Sequence, residues 1–166
     1  MPGRRVRNTL GAALAVAAAA ATGSVATDPT GDWYVGLRKP SWQPPGWAFP
    51  VVWTALYADI AATSGAVLAE LEEDGRGDEA RSFRRALAAN LVLNAGWSVV
   101  FFGRRRLRTA VPVAVALTAS SADLARRAGR VERSRGMALA PYASWTAFAT
   151  VLNAEVARLN PRGAAR

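Results

Sequence analysis

Three groups of ring and amide side chains recur at helical spacing in this sequence. Trp53 and Tyr57 stand four residues apart. Asn90, Asn94, Trp97 and Phe101 share a second helical face, and Tyr142, Trp145, Phe148, Ala149, Leu152 and Asn153 follow one another along a third. Such residues do one of two things. They pack helix on helix, with asparagine amides bonding across, or they wall a pocket whose indole faces stack on a planar apolar ligand. Other chemistry is narrowed by what is missing: the chain has no histidine and no cysteine. That removes disulfides, thiol chemistry, nucleophile–histidine pairs and the usual zinc and haem ligands. No phosphate-cradling glycine loop is present either. The expectation is no catalytic residue, no metal site and no required cofactor.

The elements that must carry these faces are apolar runs separated by arginine clusters. No charge lies between Arg7 and Asp28. Lys39 to Glu70 encloses only Asp59, Arg85 to Arg104 encloses none, Arg108 to Arg126 only Asp123, and Arg135 to Glu155 none. A helix crosses the hydrocarbon core with about 20 mainly apolar residues, and lipid offers the backbone no hydrogen bonds. The sequence therefore predicts an all-α, multi-pass integral membrane protein. Its five transmembrane helices lie near 6–27, 46–69, 83–103, 107–125 and 136–158, in a single domain over 1–166. A cleaved signal peptide competes for the first run, with Arg4, Arg5 and Arg7 as its basic end. The run's length and the four later spans favour a retained helix. Gly11, Ala15, Ala19 and Gly23 form a small-residue stripe on it, and residues 160–166 read as a disordered tail.

The net charge of +9 sits in clusters such as Arg104, Arg105, Arg106 and Arg108, at helix ends. Clusters so placed set topology and meet anionic headgroups, so the partner is the lipid bilayer and not nucleic acid. Twelve basic residues fall on the N-terminal side against nine on the other, which favours a cytoplasmic N-terminus. The outer loop then holds Trp33, Trp42, Trp47 and Trp53 within 21 residues, together with Pro40, Pro44 and Pro45. Tryptophan collects where one edge of a ring is dry and the other wet, and the prolines predict an ordered, non-helical cap.

Three blocks carry a resemblance to a known family. The first is Trp33-Tyr34 with Lys39-Pro40-Ser41-Trp42-Gln43-Pro44-Pro45 and Val52-Trp53-Thr54-Ala55-Leu56-Tyr57. The second is Leu93-Asn94-Ala95-Gly96-Trp97-Ser98 with Phe101-Phe102. The third runs from Pro141-Tyr142 through Trp145, Phe148 and Asn153 to Leu159-Asn160. In order and separation these resemble the TspO/MBR family, the tryptophan-rich sensory proteins and translocator proteins. The resemblance implies a five-helix membrane bundle, usually a homodimer, with a pocket under the loop between the first two spans. It implies binding of protoporphyrin IX or another tetrapyrrole, and of related planar hydrophobic ligands.

Carried over by residue, that pocket is lined by Tyr34, Pro44, Trp53, Tyr57, Asn94, Trp97, Trp145, Phe148, Ala149 and Leu152. Arg38 and Lys39 stand at its rim, as partners for propionates or as anchors in headgroups. The function implied is a receptor or transporter-like protein in tetrapyrrole homeostasis and stress signalling, in a bacterial membrane. A light- and oxygen-dependent porphyrin-degrading enzyme and a ligand-regulated scaffold are the alternatives. Two departures stand out. After Tyr142 the next basic residue is Arg158, so the short sterol-contact pattern is missing from the last helix. Asp59 puts a carboxylate inside a span, a functional candidate unless it pairs in the interior or faces water.

Overall fold

The computed structural model describes residues 2–161, whose regular secondary structure is all helical, with no strand among them. The expected tail beyond residue 161 lies outside the described residues. The order is α1 (Pro2–Ala26), α2 (Asp32–Val35), α3 (Ala48–Glu73), α4 (Gly77–Ser98), a π-helical turn (Val99–Gly103), α5 (Leu107–Val131) and α6 (Arg133–Leu159). Three segments are long and apolar enough to cross a membrane: Val6–Ala26, Ala48–Glu73 and Gly77–Gly103. α5 and α6 are as long, at 25 and 27 residues, but are not among these three.

The helices close into a ring. α1 packs on α3 and α4, α3 on α6, α6 on α5, and α5 on α4. α1 buries Asn8, Ala12, Val16, Ala19 and Gly23 along one side. Of the small-residue stripe predicted there, Ala19 and Gly23 face neighbours, whereas a Cβ at Gly11 would meet nothing within 4 Å. Two apolar clusters stabilise the ring. The larger contains Ile60, Val67, Leu71, Phe83, Leu124 and Leu139; the smaller groups Leu37, Phe101, Leu107, Leu152 and Val156 near the tryptophan loop.

The helix ends have local causes. Pro50 opens the first turn of α3, where its missing N–H has no intrahelical partner to lose. α3 ends at Glu73, two residues before Gly75, whose φ of +72° suits glycine, while Arg76 N–H donates to Leu71 O at 2.8 Å and Gly75 N–H to Glu72 O at 3.3 Å. Glu132 alone separates α5 from α6, in extended conformation. The two helices meet so closely there that a Cβ on Gly136 would lie 2.7 Å from Gly129 Cα. No other residue fits that crossing without displacement.

Two expectations are corrected. The loop before α3 is not wholly non-helical, because Asp32–Val35 forms one helical turn ahead of the prolines that exclude helix. The helices also outrun the charge-free segments: α3 reaches Glu73, α4 starts at Gly77, α5 ends at Val131 and α6 begins at Arg133. Absence of charge marks the stretch suited to hydrocarbon, while the backbone ladder continues into water, supported by ion pairs. Asp123 accepts from Arg126 and Arg127, Arg135 reaches Glu70 at 2.8 Å, and Glu72 takes Arg84 and the Asn8 amide.

Candidate ligand cavity

A cavity of about 420 Å³ opens between the helices at the tryptophan-loop end. α3 supplies Trp53 and Tyr57, one turn apart with ring centroids 5.4 Å distant. α4 supplies Asn94, Trp97 and Ser98, and α6 supplies Trp145, Ala149, Leu152, Asn153 and Val156. The wall from α1 is made of small residues, Ala20, Gly23 and Ser24. Tyr34, Gln43, Phe49 and Pro50 come from the loop and the start of α3. No charged side chain lies among the lining residues. The volume falls in the range of small-molecule sites, about 300–1,000 Å³.

The π-helical turn shapes one wall. Arg104 N–H donates to Val99 O, five residues back, at 2.8 Å. The wider turn brings both Phe101 and Phe102 to the cavity, with centroids 4.7 Å apart. Tyr34 lies 5.3 Å from Phe102, and Trp97 5.3 Å from Phe101. π-turns of this kind commonly accompany functional sites.

Several polar atoms of the walls bond to one another and to the helices behind them. Trp97 Nε1 donates to Asn153 Oδ1 at 3.1 Å, and Asn153 Nδ2 to Leu107 O at 3.1 Å. Tyr57 Oη donates to Asn94 Oδ1 at 2.8 Å, and Asn94 Nδ2 to Tyr142 Oη at 3.3 Å. Tyr142 Oη in turn donates to Asn90 Oδ1 at 2.9 Å. Trp145 Nε1 is buried and lacks a hydrogen-bond partner among the described residues.

Of the ten lining residues expected from sequence, Tyr34, Trp53, Tyr57, Asn94, Trp97, Trp145, Ala149 and Leu152 line the cavity together. Pro44 and Phe148 are not among its walls. Phe148 packs behind Trp145, 5.2 Å away, and against Trp42 at 5.9 Å; Pro44 is half-buried in the loop. Arg38 and Lys39 are likewise absent from the lining. Lys39 Nζ donates to the Tyr34, Val35 and Leu37 carbonyls at 2.6, 3.2 and 3.2 Å and sits 4.6 Å from the Tyr34 ring centre. It closes the end of α2, and partial burial holds its pKa below the ordinary lysine range. Burial likewise raises the Tyr34 hydroxyl, opposed by a hydrogen bond with Gln43. Arg38 is fixed through its backbone, its N–H donating to Asn160 Oδ1 at 3.1 Å and its carbonyl accepting from Asn160 Nδ2 at 2.9 Å.

Asp59 is outside the lining and accepts from Thr63 Oγ1 on its own helix at 2.9 Å. Sequence reasoning missed Phe49, Gln43 and the α1 wall. Phe49 stands 5.9 Å from Trp145, yet nothing in its spacing distinguishes it from other apolar residues of the loop. Gly23 was within reach, since its stripe marked α1 as a surface for close approach.

A ring of long apolar helices around an uncharged aromatic cavity defines a helical membrane protein with an internal cavity of small-molecule size. Comparison with known proteins narrows this further. Residues 11–159 match the TspO/MBR family. The chain is 36% identical over 147 residues to a tryptophan-rich sensory protein of Cereibacter sphaeroides, covering 89% of this chain and 88% of that one. It is 35% identical over 148 residues to protein CrtK of Rhodobacter capsulatus, covering 89% of each. With the human translocator protein it shares 34% identity over 121 residues, 73% of this chain and 70% of that one. The chain belongs to the TspO/MBR family and is a multi-pass integral membrane protein.

Proposed function

We propose that this protein is a membrane receptor, transporter-like in form, that takes protoporphyrin IX or a related planar hydrophobic tetrapyrrole into the aromatic cavity and serves tetrapyrrole homeostasis and stress signalling. The observation that carries the reading is the wall chemistry. Trp53, Trp97 and Trp145 come from three different helices into one uncharged space, where their faces are available to a flat macrocycle. The macrocycle's propionates are then left outside the walls, toward the basic loop that follows the π-turn. There Arg105 lies over the Trp33 ring at 5.8 Å, and Trp33 lies 6.1 Å from Phe101.

In this reading α1, α3, α4, α5 and α6 all cross the bilayer, within one domain over 1–166. The arginines that lower the hydropathy of α5 and α6 sit toward their ends, where long basic side chains reach headgroups. The protein works as a homodimer, through the outer face of α1 or α4. Titrating purified protein in lipid nanodiscs with protoporphyrin IX in the dark tests the reading. A saturable shift of the Soret band with quenching of tryptophan fluorescence is expected. A titration without saturation, in protein that remains helical, overturns it.

A further inference from the structure

We propose that the cavity selects ligands carrying an N–H or O–H donor, and that Tyr57 is the acceptor that makes the selection. The inference rests on the reading of the cavity as a ligand site and adds the hydrogen-bonding class of that ligand.

The argument begins at the far end of a buried chain of bonds, on α5. Ser121 Oγ lies 2.8 Å from Leu117 O, and a carbonyl oxygen only accepts. The serine hydroxyl therefore places its proton on Leu117. With that proton committed, Ser121 Oγ accepts from Asn90 Nδ2 at 3.0 Å. The Asn90 amide is thereby oriented, its nitrogen toward α5 and its oxygen toward Tyr142. Tyr142 Oη must then donate to Asn90 Oδ1, and it accepts from Asn94 Nδ2. This orients the Asn94 amide in turn, so Tyr57 Oη must donate to Asn94 Oδ1. One carbonyl on α5 thus sets the polarity of five successive bonds across α4, α6 and α3.

The outcome is felt at the cavity. Tyr57 lines it, and its only proton is committed to Asn94, its neighbour in the wall. Among the described residues nothing donates to Tyr57 Oη. The phenol therefore presents lone pairs to a bound molecule and no proton. A ligand group that can donate is matched there. An acceptor or a carboxylate faces like charge density there. Asn90, Asn94 and Tyr142 are each buried, so solvent does not compete along the chain.

The test uses three planar tricycles of nearly one shape: carbazole with a ring N–H, dibenzofuran with a ring oxygen, and fluorene with a methylene. Affinities for the full-length protein in detergent are corrected for partition of each probe into empty micelles. Carbazole is expected to bind roughly three- to tenfold more tightly than fluorene, the usual worth of one added hydrogen bond. That preference is expected to vanish in Tyr57→Phe. It should also shrink in Ser121→Ala, a variant remote from the cavity that removes the anchor of the chain. Equal binding of carbazole and fluorene to the natural protein, or a carbazole preference that survives Tyr57→Phe, overturns the selection by Tyr57. So does a Tyr57-dependent preference for dibenzofuran, which would mean the reverse polarity. An undiminished preference in folded Ser121→Ala overturns the anchoring by α5. If no tricycle binds, the ligand-cavity reading falls, and this proposal with it. Should either variant fail to fold, the ratio in the natural protein still decides.

Discussion

Trp97 and Asn153 join α4 to α6 through one hydrogen bond, Nε1–H to Oδ1 at 3.1 Å, on the wall of the cavity. Asn153 is 2% exposed and carries the bond onward to the Leu107 carbonyl, so the indole of Trp97 is held by the first turn of α5 as well. Trp97→Phe keeps a ring but leaves Asn153 Oδ1 buried without its donor. A loss of about 1–3 kcal/mol is expected, the cost of an unmet buried acceptor. Trp97→Phe combined with Asn153→Leu should lose less than the sum of the two single changes. Thermal unfolding in one detergent, followed by circular dichroism across the four proteins, measures this coupling.

Trp53 and Trp145 face the same cavity from α3 and α6. If both stack on protoporphyrin IX, replacing either by alanine weakens binding by about 0.5–1.5 kcal/mol beyond the lost burial. Phenylalanine at the same positions should cost less, because a ring remains. Trp47 is 70% exposed and outside the lining, so Trp47→Ala serves as the comparison and should leave affinity unchanged. Soret-band titrations, with melting temperatures from the same preparations, separate a binding loss from a folding loss.

Lys39 is tied to the backbone around Tyr34, which predicts support of the Tyr34 wall rather than a charge offered to a ligand. Its ammonium is taken up by three carbonyls of α2 and the residues after it. Lys39→Met should loosen the short helix and with it the Tyr34 wall. Affinity is then expected to fall equally for protoporphyrin IX and for its dimethyl ester, which lacks the two negative charges. A fall confined to the free acid would show instead that Lys39 pairs with a propionate.

Gly136→Ala tests the α5–α6 crossing. The added methyl would sit 2.7 Å from Gly129 Cα and 3.0 Å from the Ala125 carbonyl, both backbone atoms that cannot rotate aside. A destabilisation of about 1–3 kcal/mol is expected from this overpacking. Gly11→Ala, on the open side of α1 where nothing lies within 4 Å, should leave the melting temperature unchanged or raise it slightly. The two melting curves decide.

Asp59→Asn should keep both porphyrin affinity and stability within error. Among the described residues the carboxylate accepts only from Thr63 of its own helix, and an amide oxygen serves that bond equally well. A clear loss of binding would mean that Asp59 acts on the cavity through water.

Periodicity is what made the cavity legible in the sequence. Trp53 with Tyr57, and Asn94 with Trp97, lie on single helical faces, so placing the helix also places the side chains. Phe148 shows the limit of that logic. It is three residues from Trp145 and close to it in angle, yet its direction is decided by Trp42 in a loop far away in sequence. The loop itself has no period to read. Whether Phe49 or Pro44 reaches the cavity depends on the α2 turn and on the Asn160–Arg38 bonds, which join residues 122 positions apart. Helix ends were obscured for another reason. Ion pairs such as Arg135–Glu70 extend the helices through segments whose charge reads as loop.

The ring of helices is unevenly fastened. α1 is tied at its start, where Asn8 donates to Glu72 at 2.8 Å and Arg7 lies 3.8 Å from the same carboxylate. At the cavity end its contribution is Ala20, Gly23 and Ser24, whose small side chains interlock with little, while α5 and α6 are clasped glycine to glycine. The first helix thus gives the cavity a wall of backbone and small groups, and a larger side chain at Gly23 would take up space beside Ser98.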